Sequence, residues 1–351
     1  MKKTIFKILA LCLAICSMLT VFVGCGGSGA VDDRQTVEFG MYPQTKVEDD
    51  VLISALTSKA GSTSSWTDYG YFKKADEETD AVREGCMSYK DVEYDGAKYR
   101  GILIRVYRAY TWKDVSKKVN SWQDNSAYYR KEGITFKGTF WFKYEPIKWT
   151  VISEEEGYST LVSTLALDSQ AFNDTFFGEA EKNPCYIAEG NQTFANNYES
   201  STIRKWLTET FFDLAFTSAQ KAQIQTVSVD NGIATTGYAA TDFTEEGYSA
   251  DKLSTNKTND KVFLLSYEEA ITYFTDSEIR DKQSSDYAKS QGIYSYLSGG
   301  SYLNNSCWWL RSPSNKLMAE ARYVRIDGEV EQGLVAYNHY GVVPAIKAKL
   351  A

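Results

Sequence analysis

The chain has a single histidine and few cysteines, and these scarcities exclude several kinds of active site. His339 is the only histidine among 351 residues, so any serine–histidine or cysteine–histidine catalytic pair would have to use it. The six cysteines form no CxxC pair and no cluster with the histidine, which argues against a structural zinc site. We predict that His339 lies in a surface loop between the final strands.

The N-terminus has no apolar run long enough to cross a bilayer as a helix, which needs about 20 residues. Three lysines among the first seven residues precede an apolar run over residues 8–23, which a small residue follows. This pattern predicts a secretory signal peptide over residues 1–24. The next residue, Cys25, resembles the acylation site of bacterial lipoproteins, although Phe22 stands where that pattern prefers leucine.

The resemblance implies that Cys25 is acylated and anchors the mature chain to the extracytoplasmic face of the cell membrane. The small residues that begin the segment 25–36 would form a flexible tether. Ordinary signal cleavage, which would release a soluble protein, is the alternative. Removal of the three signal lysines takes the net charge from −8 to −11, which argues against nucleic acid as a partner and against direct binding to anionic lipid. Membrane attachment would therefore depend on the lipid.

Three cysteines, Cys86, Cys185 and Cys307, remain in the predicted mature domain. An odd number permits at most one internal disulfide, and the sequence leaves all three pairings open. We expect buried or unpaired thiols in a chain that does not depend on disulfides.

The apolar pattern predicts strands near both ends of the chain and helices mostly between them. The predicted strands cover residues 36–47, 98–110, 145–152, 158–167, 261–265, 307–312, 321–326, 329–336 and 341–350, and the predicted helices cover 50–59, 200–216, 217–224, 266–274 and 284–292. Asp327-Gly328 predicts a two-residue hairpin. This order favours an α+β fold with antiparallel sheets. We expect one domain over residues 37–351, with an irregular insertion around 48–97.

Several stretches resemble, in order, a domain of unknown function that is common in secreted and surface lipoproteins of bacteria. They are FGMYPQ (39–44), YEPIKWTVI (144–152), YESSTIRKWL (198–207), SDYAKSQG (285–292), WWLRSP (308–313) and GVVPA (341–345). The resemblance covers about residues 37–351.

The end of the chain is also similar to C-type-lectin-like domains, including the formylglycine-generating-enzyme-like group. The similarity lies in the WWLRS stretch, a following hairpin and a Pro-Ala close, although Val343 stands where that group has arginine. It implies a C-type-lectin-like core of antiparallel strands with helices and long loop insertions. Formylglycine-generating enzymes need a pair of positioned thiols, and no second cysteine lies near Cys307 in the sequence, so we expect Cys307 to be a buried thiol.

The stretch NSCWWLRSPS (305–314) is the first candidate for ligand contact. In a strand, Trp308 and Trp309 point to opposite faces, and Arg311 shares a face with Trp309. Arg311 could stack on an aromatic ring or pair with a carboxylate. The alternative is a central strand whose tryptophan fills the core and whose arginine satisfies a buried partner.

The second candidate surface is aromatic. Tyr294, Tyr296 and Tyr302 lie among glycine, serine and asparagine in residues 292–305, and tyrosines with small polar neighbours are typical of adaptable binding loops. His339 completes the set of candidate ligand-binding residues. The alternative is that these rings pin long loops onto the core.

The sequence thus favours a binding protein that recognises a glycan or a surface protein through aromatic loops. A structural envelope lipoprotein without a small ligand and a divergent enzyme on the same fold are the alternatives. No residue is assigned as catalytic, and no cofactor or metal ligand is assigned. Bound calcium stays open, because Asp327 and the acidic residues at 48–50 and 76–78 could supply some oxygen ligands.

Overall fold

The structure, a computed structural model, describes residues 32–70, 87–105, 108, 126–135, 137–173, 194–245, 248 and 257–350. The fold is mixed α/β, with mostly antiparallel sheets, one of them curled into a half-barrel, and few helices. The predicted combination of antiparallel sheets with helices is therefore confirmed. The predicted signal peptide and Cys25 lie outside the described residues.

Within the described residues, most strands and helices are short. The strands are β1 (Thr36–Lys46), β2 (Thr67–Asp68), β3 (Met87–Tyr94), β4 (Ala97–Ile104), β5 (Thr139–Glu155), β6 (Tyr158–Ser163), β7 (Asp168–Ser169), β8 (Val227–Val229), β9 (Thr258–Asp260), β10 (Val262–Phe263), β11 (Lys282–Gln283), β12 (Asn305–Ser306), β13 (Trp308–Pro313), β14 (Glu320–Val324), β15 (Val330–Leu334), β16 (Gly341–Val342) and β17 (Ala345–Ala348). The α-helices are Asp50–Ala60, Ser126–Lys131, Thr202–Trp206, Phe212–Ala215, Ser218–Gln223, Tyr267–Tyr273, Ser277–Arg280 and Asp286–Ser290, with a π-helical turn at Leu207–Phe211 and 3₁₀ turns at Thr63–Ser65, Ile233–Thr235 and Ala240–Asp242. None of these helices is long and apolar enough to cross a membrane.

The larger sheet is organised around β5. Its pairing order is β10-β17-β6-β5-β4-β3-β2, and β1 also pairs with β5. Phe142 of β5 pairs with both β1 and β4, and Trp149 pairs with both β1 and β6. Because a strand has only two edges, β4 and β6 share the edge opposite β1. Neither of them pairs with residues 144–148, where Pro146 has no N–H to donate to a ladder.

The second sheet has the WWLRSP stretch as its central strand, β13. Its order is β15-β14-β13-β16-β7, and within it β13 and β16 pair in parallel. Trp308 and Trp309 are both fully buried, and they belong to different hydrophobic clusters. This sheet therefore separates two parts of the core, which confirms that the two tryptophans point to opposite faces.

The FGMYPQ stretch lies in β1, whose pairing with β5 shifts register at Gly40 and again at Gln44. Gly40 has a φ of 77°, and a Cβ atom there would lie 2.6 Å from the ring of Phe216, so this position requires glycine. At such a shift one strand contains an additional residue that has no partner opposite it, and the side chain of this residue points away from the direction that regular alternation would give it. The second shift therefore gives Gln44 an orientation that regular alternation would not.

Most predicted elements are present, and the differences have local causes. The helix near 50–59, the capping boxes at Thr217 and Ser266, and a hairpin at Asp327-Gly328 are confirmed. The hairpin turn has three residues, 326–328, rather than the predicted two, because the N–H of Arg325 donates to the carbonyl of Glu329 at 2.7 Å. The region around 48–97, which we predict as irregular, also contains β2 and β3. The sequence pattern does not reveal β3, because its residues lack the regular alternation that identifies a strand. The predicted strand 341–350 is two strands in different sheets, β16 and β17, interrupted before Pro344.

Candidate functional site

The structure places Trp309 and Arg311 in the interior. The indole of Trp309 is fully buried, and its Nε1 donates to the carbonyl of Gln170 at 2.9 Å. Arg311 is 2% exposed. The geometry therefore supports the interpretation of this stretch as a central strand, and a ligand role for either side chain stays a prediction.

All five N–H groups of Arg311 are used by protein acceptors. Nε and Nη2 donate to the carbonyl of Asp230 at 3.2 and 3.0 Å, and Nη1 donates to the carbonyl of Leu264 at 2.7 Å. The carboxylate of Glu269 accepts from Nη1 and, at 2.8 Å, from Nη2. A guanidinium with no spare donor is held in one place, so Arg311 ties three segments of the chain together.

Tyr296 and Tyr302 form an aromatic pair in the loop that precedes β12. Their ring centroids are 6.5 Å apart at an angle of 73°, and Tyr302 is 38% exposed. The next residue, Leu303, is 42% exposed. We call Tyr296, Tyr302 and Leu303 the aromatic tip. The structure thus brings together two of the three tyrosines that the sequence predicts as ligand contacts.

Tyr294 and His339 belong to a different cluster. The ring of Tyr128 lies 5.3 Å from that of Tyr294 and 5.6 Å from the imidazole of His339. The rings of Tyr337 and Tyr340 lie 5.0 and 4.7 Å from the same imidazole. Burial among these rings lowers the pKa of His339 to about 4, so its imidazole is neutral at pH 7. His339 lies in the loop between β15 and β16, as predicted, but it is a half-buried member of an aromatic cluster and not a solvated side chain.

We expect His339 to destabilise the folded protein in acid. In the unfolded chain the imidazole of His339 has the ordinary pKa of about 6.5, whereas in the folded protein its pKa is about 4. The free energy of unfolding is therefore unaffected by this group above pH 6.5 and decreases as the pH falls toward 4. Between pH 7 and pH 5 the loss is about 2 kcal/mol. In His339→Phe, which keeps an aromatic ring, urea unfolding should show a correspondingly smaller loss of stability between pH 7 and pH 5. An equal loss in the variant and the wild type would contradict this assignment.

A polar groove of about 420 Å³ lies on another part of the surface. Its walls come from β1, β5, the segment after β6 and the segment that leads into the helix Asp286–Ser290. Its polar lining includes Glu38, Gln44, Thr45, Glu145, Lys148, Gln283 and Asp286. We call this feature the polar groove, and none of the ligand-binding residues predicted from the sequence lines it.

The polar groove follows the middle of β5, where neither β4 nor β6 pairs. Glu145, Pro146 and Lys148 all lie in this stretch. Gln44 is nine-tenths buried, and its Nε2 donates to the carbonyls of Glu145 and Pro146 at 3.0 Å each. Because both amide hydrogens are used, Gln44 Oε1 is the atom left for a ligand. It has no hydrogen-bond partner within the part of the chain that the structure describes.

The groove presents charged groups of both signs. Glu38 and Lys148 are exposed and face each other in the register of β1 and β5, and neither forms an ion pair with another described residue. The carboxylate of Glu145 accepts from Thr45 Oγ1 at 2.6 Å, which leaves its other oxygen available. The groove therefore offers both hydrogen-bond donors and acceptors, as recognition of a polar ligand requires.

The aromatic tip adjoins one end of the polar groove. Gln283, which lines the groove, donates from Nε2 to the carbonyl of Leu303 at 3.3 Å. The N–H of Ser284 donates to the carbonyl of Asn304 at 3.2 Å. The groove and the tip therefore form one surface, and we take this surface as the candidate functional site.

A family model described as a domain of unknown function, DUF6273, matches residues 173–350, slightly more than half of the chain. The chain belongs to the DUF6273 family. The predicted resemblance to a domain of unknown function is therefore confirmed over these residues, and its extension back to residue 37 stays a prediction. No curated protein and no solved structure matches the chain.

The DUF6273 region supplies the aromatic tip and the groove wall at 283–286, whereas β1 and β5 precede it. The same region contains Cys307, a free and buried thiol whose pKa burial raises to about 12, as the buried-thiol prediction requires. Cys86 and Cys185 lie outside the described residues.

The described residues contain no group of three or more His, Cys, Asp or Glu side chains placed to hold a metal ion. Asp327, which the sequence offers as a possible calcium ligand, pairs with Arg325 at 3.1 Å.

The sequence does not identify the groove residues as site residues, although three of the stretches on which the predicted resemblance rests contribute residues to the groove. Gln44 ends FGMYPQ, Glu145 and Lys148 lie in YEPIKWTVI, and Asp286 lies in SDYAKSQG. The available signal was a break in pattern: a glutamine after a proline in one strand, and a Glu-Pro pair within another. Such breaks are typical of bulges and of strand stretches that lack a partner.

Proposed function

We propose that this DUF6273 protein is an extracytoplasmic, lipid-anchored binding protein that holds a saccharide in the polar groove and against the aromatic tip. The observation that carries the proposal is the position of a tyrosine pair, of which Tyr302 is exposed, beside a groove of about 420 Å³. Sites for small ligands usually have volumes of about 300–1,000 Å³. A groove of this size supports a small oligosaccharide as the ligand.

The chemistry of the candidate site favours a saccharide over an apolar ligand. Sugar hydroxyls both donate and accept hydrogen bonds, and the groove offers Gln44 Oε1 and Glu38 as acceptors and Lys148 as a donor. Tyrosine rings combine a flat apolar face with a polar edge. Tyr302 can therefore pack against the C–H face of a sugar ring while its hydroxyl stays in water.

The proposal includes a C-type-lectin-like core and an anchor on Cys25. Antiparallel sheets joined by long connections support the core, and the N-terminal pattern that ends in Gly24-Cys25 supports the anchor. Both remain part of the proposal, together with the location outside the cytoplasm.

Tyr302→Ala and Gln44→Ala are expected to weaken binding of the purified mature protein to its glycan by about tenfold each. Tyr302→Ala removes an aromatic contact face, and Gln44→Ala removes a fixed hydrogen-bond acceptor. A tenfold loss of affinity corresponds to about 1.4 kcal/mol of binding free energy. The measurement is a titration on an array of cell-wall and other glycans. Tyr94→Ala is the matched control, because Tyr94 is 37% exposed but lies at the turn between β3 and β4.

No saturable binding of the wild type to any glycan would overturn the saccharide part of the proposal. An equal loss in the Tyr94 variant would overturn the location of the site, and cleavage of a glycan on the array would indicate an enzyme instead. Fatty-acid labelling of cells that express the wild type or Cys25→Ser tests the anchor separately. The label should be present in the first and absent from the second.

A further inference from the structure

We propose that Arg322 forms a carboxylate-binding site in the second sheet, separate from the polar groove. Arg322 lies in β14 and is 9% exposed. Its Cζ lies 4.1 Å from the ring centroid of Tyr238 and 3.8 Å from that of Tyr267. The two rings hold the guanidinium in place through cation–π contacts.

The guanidinium of Arg322 is short of hydrogen-bond acceptors. Among the described residues it makes one hydrogen bond, from Nε to the hydroxyl of Tyr238 at 2.9 Å. Nη1 is buried without a partner, and no described carboxylate lies within ion-pair distance. Arg311, in the neighbouring strand β13, has an acceptor for every N–H. A buried charged donor without an acceptor is unfavourable, so the contrast between these arginines points to a missing anionic partner at Arg322.

The geometry of Arg322 favours a carboxylate as that partner. The tyrosine rings lie against the guanidinium, and Nε is already used, so a ligand must approach along the edge that carries Nη1 and Nη2, and neighbouring side chains must move aside to open Nη1, which is closed to solvent. Two parallel N–H groups on this edge match the two oxygens of a planar carboxylate. A tetrahedral anion matches this flat edge less well, because only part of it can lie in the guanidinium plane.

Gln332 supplies a second donor beside Arg322. The two residues face each other in the register of β14 and β15, so their side chains lie on the same face of the sheet. Gln332 Oε1 accepts from Ser314 Oγ, which fixes the amide and leaves Nε2 without a partner among the described residues. The site therefore combines the Arg322 guanidinium with the neutral N–H donor of Gln332. No anionic group among the described residues forms a hydrogen bond to either side chain.

The test uses sodium acetate as the probe, with sodium chloride and sodium phosphate at equal ionic strength as comparisons. Acetate should raise the thermal midpoint of the wild-type protein, and it should shift the Nε–H resonance of Arg322. Arg322→Lys should bind acetate at least tenfold more weakly. Arg325→Lys, in which the exposed arginine after the same strand is changed, should respond as the wild type does.

A second variant keeps the test decisive if Arg322→Lys does not fold. Gln332→Glu places a carboxylate opposite Arg322, so this variant should have a higher thermal midpoint than the wild type without acetate and should no longer respond to acetate. An undiminished acetate response in Gln332→Glu or Arg322→Lys would overturn the assignment. A response to phosphate without one to acetate would overturn the carboxylate class.

Discussion

Glu269→Ala is expected to lower the free energy of unfolding by about 3 kcal/mol, even though the Glu269 side chain is one-third exposed. Arg311, its partner, is almost completely buried and receives two hydrogen-bond acceptors from this one carboxylate. Removal of the carboxylate leaves a buried cation without a counterion, which costs more than an exposed ion pair contributes. The same change removes one half of the capping box with Ser266.

Urea or guanidinium unfolding of the wild type and the variant measures this effect. Glu268→Ala is the matched control, because Glu268 also lies in the first turn of the helix Tyr267–Tyr273 but pairs with no described residue. It should lose no more than about 1 kcal/mol, the contribution of an acidic residue near a helix N-terminus. Equal losses in the two variants would mean that the Arg311–Glu269 pair does not stabilise the fold.

A large difference between the two variants would also explain the arginine of WWLRSP. Arg311 would then be needed because it joins Asp230 to the segment of Leu264 and Glu269, which lies further along the chain. On this account the stretch is the structural centre of the second sheet. Ligand contact would fall to surfaces elsewhere, such as the polar groove.

The strands and helices that could be predicted are those whose signals are local. The capping boxes at Thr217 and Ser266 satisfy backbone N–H groups within one helical turn, and Asp327-Gly328 marks the position of the hairpin turn, although the turn is longer than two residues. The division of 341–350 between two sheets was not predicted, because it depends on which distant strands lie on each side of Pro344.

The candidate site was only partly predictable for a similar reason. The aromatic tip stands out in the sequence, because Tyr296 and Tyr302 lie close together among small polar residues, although Tyr294 of the same stretch packs in another cluster. The polar groove is formed by residues of β1, β5 and the 283–286 segment, which are about 100 residues or more apart in sequence. Gln44 acquires its role from a register shift, of which Pro43 is the only local sign, and from carbonyls of another strand, which no local pattern reveals.

Gly328→Ala is expected to destabilise the protein by about 2–5 kcal/mol, more than its position in an ordinary hairpin turn suggests. Gly328 has a φ of 78°, where a side chain costs about 1–2 kcal/mol. A Cβ atom at this position would also lie 1.8 Å from the carbonyl oxygen of Ser277. That atom belongs to the backbone of the helix Ser277–Arg280, so the hairpin and the helix would have to move apart, and such overpacking costs about 1–3 kcal/mol more.

Gly157→Ala separates these two contributions. Gly157 also has a φ of 78° and also lies in a hairpin turn, between β5 and β6, but an added Cβ atom there would meet nothing within 4 Å. It should lose only about 1–2 kcal/mol in the same unfolding experiment. If the two alanine variants lose the same stability, the turn between β14 and β15 is not packed against Ser277. If Gly328→Ala loses far more, this packing fixes the hairpin that carries Arg322 and Gln332, and the acetate response should weaken with it.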